Sequence, residues 1–288
     1  MVNMSHEVNE RDEHLEWISH MLTQGLTEGQ QRSDDLMATK AYKPISPGLA
    51  SSAQLPVVET RSDPGRERRK GVPEVIFGET KDVPQIVAMA QELLRGSGRA
   101  IISRMRPETF APVQAVFQDY TVRVSEAARS MVIYSPDYVR RDTGGHVGVI
   151  SAGTSDIPVA EEAALIAEEM GCRITRIYDV GVAGLHRLLE PLRSLFTEDV
   201  DAIIVAAGMD GALPSVVAGL APVPVIGLPT SVGYGIGGKG FAALLSMLQT
   251  CAPGLSVVNI DNGVGAGSVA ALMANRVASA RQREHQSQ

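Results

Sequence analysis

From residue 146 onward the chain alternates short apolar runs with glycine turns and helical stretches. The apolar runs predict strands at 147–151, 173–178, 202–205, 223–227 and 256–260. The stretches between them, at 159–170, 184–196, 213–220, 241–250 and 267–280, carry helical spacing. Such alternation predicts a parallel three-layer sheet with helices on both faces and right-handed crossovers. Residues 56–145 predict a smaller α/β domain. Its elements are a strand ending at Phe77, a helix capped by Asp82 with Pro84 in its first turn, a strand at 99–103, a helix from Pro107 and two further strands. Residues 1–55 predict a flexible arm with one amphipathic stretch, Glu13 to Leu22. Residues 281–288 predict a polar tail.

Composition narrows the class. The 288 residues are 44% hydrophobic with a net charge of −7, so a sizeable core is expected and a general nucleic-acid binder is not. Two cysteines make no disulfide framework and no zinc spacing. The polar N-terminus and the lack of a long apolar run lead to the expectation of a cytoplasmic protein without a membrane partner.

Candidate chemistry gathers on the turns. Between Pro224 and Gly267 lie a buried-looking strand, the glycine loop Gly233 to Gly240 with Lys239, an apolar helix, Cys251, another strand and Asn262. All are expected at the ligand edge of one α/β unit. Amides of Gly237 and Gly238, with Lys239, suit a phosphate. Gly240 after the lysine replaces the hydroxyl that a magnesium-triphosphate loop requires. Ser155 and Asp156 suit phosphate and ribose, or only cap a helix. Gly208 and Asp210 form a crevice turn, or an ordinary one. His186 is a candidate near the ligand edge, although helical histidines are often structural. Cys172 reads as a small core residue. Cys251, at a helix C-terminus, needs activation from a base or a cationic substrate. Arg66 and Arg69 meet an anion or line a solvated loop. No metal-ligand cluster is visible in the sequence.

Together these stretches resemble known families. Gly153-Thr154-Ser155-Asp156, the turn Gly208 to Pro214 and the strand Pro224 to Pro229 resemble the PurE class of purine-pathway carboxylases and mutases. That class carries a catalytic histidine where Ala212 stands here. A closer resemblance, over about residues 60–275, is to the LarB family of nickel-pincer nucleotide synthesis. It rests on Gly237 to Cys251, Asn259 to Gly263, Asp179 to Arg187, and Asp63, Arg66, Arg69 and Gly71. In this chain Glu79-Thr80-Lys81 departs from the family pattern. The resemblance implies carboxylation of nicotinic acid adenine dinucleotide by CO2 or bicarbonate and phosphoanhydride cleavage releasing AMP. It implies no tightly bound cofactor, with magnesium as a possible helper, and a homo-octamer. Cys251 would attack the ring and Asp210 would move the ring proton. The other residues would bind substrate. A PurE-type mutase and a non-catalytic nucleotide-binding regulator are the alternatives.

Overall fold

The computed structural model describes residues 62–286. The expected arm at 1–55, with its amphipathic stretch, lies outside the described residues.

The elements run α1 (Arg66–Lys70), β1 (Val75–Phe77), α2 (Val83–Ser97), β2 (Arg99–Ser103), α3 (Pro107–Val116), β3 (Thr121–Ser125), β4 (Ser130–Tyr134) and β5 (His146–Ser151). They continue with α4 (Ile157–Glu169), β6 (Arg173–Ile177), α5 (His186–Thr197), β7 (Ala202–Ala207), α6 (Leu213–Ala218), β8 (Val225–Pro229), α7 (Phe241–Leu248), β9 (Leu255–Val257) and α8 (Gly263–Gln286). The expected cap of α2 forms as a reciprocal box. The Asp82 carboxylate accepts from the Gln85 amide at 2.9 Å, and the Gln85 side chain accepts from the Asp82 amide at 3.0 Å.

The larger sheet has the order β6-β5-β7-β8-β9, parallel throughout. Its inner strands are buried on both faces, as parallel strands under two helical layers must be. Side chains alternate across the sheet. Val147, Val149, Ile204 and Ile226 face α4 and α8. Ile150, Ile203, Val205 and Val225 face α5, α6 and α7.

α4 and α8 pack closely because their contact is made of small residues. Ala266, Ala270 and Ala274 are fully buried. A Cβ on Gly267 would lie 2.4 Å from the Ala163 carbonyl oxygen. α8 starts four residues earlier than expected and replaces the expected polar tail through Gln286. Arg281 ties its last turns to Asp201 at 2.7 Å and Asp199 at 3.2 Å.

The smaller sheet has the order β1-β2-β4-β3, with β1 and β2 parallel and the rest antiparallel. One face closes on α2 and α3. From the other, Ile101 and Val132 join the core around α4 and α8. Buried charges fix this joint. Glu162 and Glu169 sit seven residues apart on α4, which puts them on one face. Glu162 accepts from Ser103 and pairs with Arg104 at 3.1 Å. Glu169 pairs with Arg99 at 2.9 Å and accepts from the Tyr134 hydroxyl at 2.7 Å.

Candidate active site

Five loops leave the C-terminal ends of the larger sheet, and their own hydrogen bonds knit them into one surface. Val180 donates to the Ser151 carbonyl, Ala152 to Ala206, Met209 to Val232, and Asp261 to Pro229. The Ser231 amide donates to the Asp261 carboxylate at 2.7 Å. Ser155, Asp156, Gly208, Asp210, Gly237, Gly238, Lys239 and Asn262 all belong to these loops, and His186 opens the helix after one of them.

Asp156 holds the loops together. Its side chain is buried and accepts from the Thr230 hydroxyl at 2.6 Å and from the Gly153 amide at 2.9 Å. Burial pushes its carboxyl above the usual range, while the bonds from Thr230, Gly153 and Gly208 pull the other way. A carboxylate so engaged is a brace for the loops and has little left for a ribose. Thr230, the partner that fixes it, drew no notice in the sequence because a threonine at a strand end is usually only a β-former. Gly208 serves the same junction. A Cβ there would lie 2.2 Å from the Val232 carbonyl oxygen.

Other candidates differ in how committed they are. Asn262 caps α8, accepting from the Gly265 amide at 2.8 Å. Lys239 and Gly240 both take left-handed backbone, φ 59° and 82°, which turns the chain sharply into α7 and leaves the Lys239 side chain exposed. Gly240 is required there, since a Cβ would lie 2.7 Å from the Thr230 carbonyl oxygen. Ser155, Asp210 and His186 are exposed on the same edge. The neighbouring Arg187 bonds the Asp179 carbonyl at 2.6 Å and so fastens the loop before His186.

Two sets of expected residues are elsewhere. Cys251 follows α7, which has returned to the other end of the sheet. Gly254 accepts from the amide of Val225, the first residue of β8. The loops begin after Pro229, so about 15 Å of strand separates them from the sulfur. The expectation that Cys251 shares the ligand edge within one chain is therefore corrected. The reason is topological: a loop that enters a parallel strand lies at its N-terminal end. The thiol is exposed. Cys172 is buried beside Asn275, and burial pushes its thiol up to about 12. Arg66 and Arg69 lie on α1, whose Glu67 bonds Arg99 at 2.8 Å, beside Glu169 at the C-terminal end of α4. Arg69 is held by Asp63 at 2.6 Å. The structure therefore does not bring these two arginines to the loop edge.

Among the described residues no three His, Cys, Asp or Glu side chains converge to hold a metal ion. No helix there is long and apolar enough to cross a membrane.

Comparison with known proteins bears on this architecture. The family model described as AIR carboxylase matches residues 146–288, and one described as LarB/PurE-like N-terminal domain matches residues 57–135. An uncharacterised protein of Methanocaldococcus jannaschii is 44% identical over 215 residues, covering 74% of this chain and 82% of its own. The N5-carboxyaminoimidazole ribonucleotide mutase of Thermotoga maritima is 33% identical over 132 residues, covering 43% of this chain and 72% of its own. That of Pyrococcus abyssi is 34% identical over 137 residues, covering 46% and 73%.

Proposed function

Because the chain belongs to the AIR carboxylase family, we propose that it is a carboxylase acting on the pyridinium ring of nicotinic acid adenine dinucleotide. It would also cleave the phosphoanhydride to release AMP. One observation carries the reading. The turn that should present a proton-shuttling histidine presents Ala212, while Cys251 keeps an exposed thiol. The N-terminal match to a LarB/PurE-like domain supports it.

A pyridinium ring is electrophilic and does not attack CO2. Addition of the Cys251 thiolate to ring position 4 forms a C–S bond and sends an electron pair into the ring, leaving an enamine. Position 5 then attacks CO2 and forms the new C–C bond. Asp210 takes the proton from position 5. The C–S bond breaks, the thiolate leaves and the ring is aromatic again. Water then attacks the phosphoanhydride, giving pyridinium-3,5-dicarboxylate mononucleotide and AMP. Ser155, Lys239 and the amide of Gly237 would hold phosphate, since the Gly238 amide already donates to the Gly235 carbonyl at 3.2 Å.

The separation of Cys251 from the loops adds a requirement. A neighbouring copy must supply the sulfur, which is consistent with an octamer. The exposed apolar face of α7, with Phe241, Leu245 and Leu248 spaced by four and three, is suited to contact between copies.

Purified protein given the dinucleotide and labelled bicarbonate should release AMP and put label into an acid-stable mononucleotide. Unchanged dinucleotide overturns the reading. Similarity to the mutases favours a second reading, in which the substrate is an aminoimidazole ribonucleotide. Turnover of N5-carboxyaminoimidazole ribonucleotide in the same assay would establish that one instead.

A further inference from the structure

A groove of about 310 Å³ opens where the smaller sheet meets the loop edge, lined by Val75, Phe77, Arg104, Asn259, Ile260 and Asn262 among others. We propose that this groove binds the non-reacting nucleobase, the adenine of the dinucleotide. The assignment rests on the dinucleotide reading above.

Four features of the groove select a flat, neutral, hydrogen-bonding ring. Its size is at the lower end of small-molecule sites, roughly 300–1,000 Å³, enough for a nucleoside and too small for a dinucleotide. Phe77 ends β1 partly exposed, and the Arg104 guanidinium lies 5.3 Å from its ring centroid, so two stacking surfaces adjoin. The charge of Arg104 is already answered by the buried Glu162 carboxylate at 3.1 Å, so the wall does not call for an anion. Asn259 and Asn262 each spend their side-chain oxygen on a backbone amide, Ile260 and Gly265 respectively. Their NH2 groups and remaining lone pairs suit the mixed donor and acceptor edge of a purine.

Position supports the same ligand. Arg104 also donates to the Asp261 carbonyl, and the Asp261 carboxylate accepts from Ser231, the second residue after β8. A nucleoside in the groove would therefore lie beside the segment that leads into the glycine loop. Arg104 holds its place with a left-handed backbone, φ 51°.

AMP is the probe, added to the full-length protein and followed by saturation-transfer NMR and titration calorimetry. Wild type should bind AMP with saturation of the adenine protons. Phe77→Ala should weaken AMP about tenfold or more, the value of one lost base stack. It should leave nicotinic acid mononucleotide affinity unchanged, and Phe77→Tyr should restore AMP. Should Phe77→Ala lower the melting temperature sharply, Asn259→Ala is read in the same way. AMP that fails to bind wild type, or that binds Phe77→Ala and Asn259→Ala as tightly as wild type, overturns the proposal. So does equal weakening of both nucleotides. None of these readouts needs turnover. AMP bound here without carboxylation would count against the reaction alone. Carboxylation with an indifferent Phe77 would count against the groove alone.

Discussion

The two cysteines show how one residue type takes opposite roles from its surroundings. Cys172 is buried and its thiol stays protonated well beyond neutral pH, whereas Cys251 is open to solvent. Iodoacetamide should therefore label Cys251 in the native protein and reach Cys172 only after denaturation, as peptide mass spectrometry would show. Cys251→Ser should abolish carboxylation without moving the thermal midpoint. His146 offers a test of stability. Its ring is buried, contacts Thr175 at 2.9 Å and accepts from Arg173 at 2.9 Å, with Glu198 and Asp201 nearby. Burial and the Arg173 charge push its pKa below the ordinary 6.5. Below that pH the unfolded chain takes up a proton that the native state refuses, so stability must fall as pH drops. Urea midpoints at pH 7.5 and 5.5 should reveal this slope, and His146→Asn should flatten it. Residues such as Cys172 could be read from the chain because a small apolar side chain before a buried strand has one common fate. Asp156 could not. Its pattern fits a ligand group and a brace equally, and only the hydroxyl of Thr230, 74 positions away, decides between them.

Secondary elements were legible wherever hydrophobic period and punctuation agreed, as for α2 between Asp82 and Gly98. They were least legible where glycine and alanine dominate. The start of α8 reads as a turn, since Gly263, Gly265 and Gly267 are poor helix formers. Tertiary packing overrides that propensity, because glycine alone allows α8 to approach α4 so closely. Gly267→Val should force the helices apart and cost about 3 kcal/mol or more, the scale of overpacking. Chemical denaturation would measure it, while Ser268→Ala next to it should be nearly neutral. The smaller sheet carried a different gap. Its strands were readable from local β-branched runs, but its joint to α4 depends on Glu162 and Glu169, and acidic residues in a helix ordinarily suggest a solvated face.

At the scale of the whole molecule, the sulfur and the loops lie at opposite ends of one sheet. If neighbouring copies complete each other's sites, two defective chains can rescue one another. Cys251→Ser and Lys239→Ala should each be inactive alone. Refolded together, they should regain about a quarter of wild-type activity, the share expected when each site draws its two parts at random. No recovery in mixed oligomers would count against a shared site, and a monomer by light scattering would count against an assembly altogether. The buried pairs between α4 and the smaller sheet have their own consequence. Removing the smaller sheet strands the buried Glu162 and Glu169 carboxylates, whose cationic partners Arg104, Arg99 and Arg123 all come from that part of the chain, at about 3–5 kcal/mol for each broken pair. Calorimetry should thus record one transition for both sheets, and a gene cut near residue 145 should yield an insoluble fragment. A reshuffled gene could inherit the larger-sheet half only together with its smaller companion.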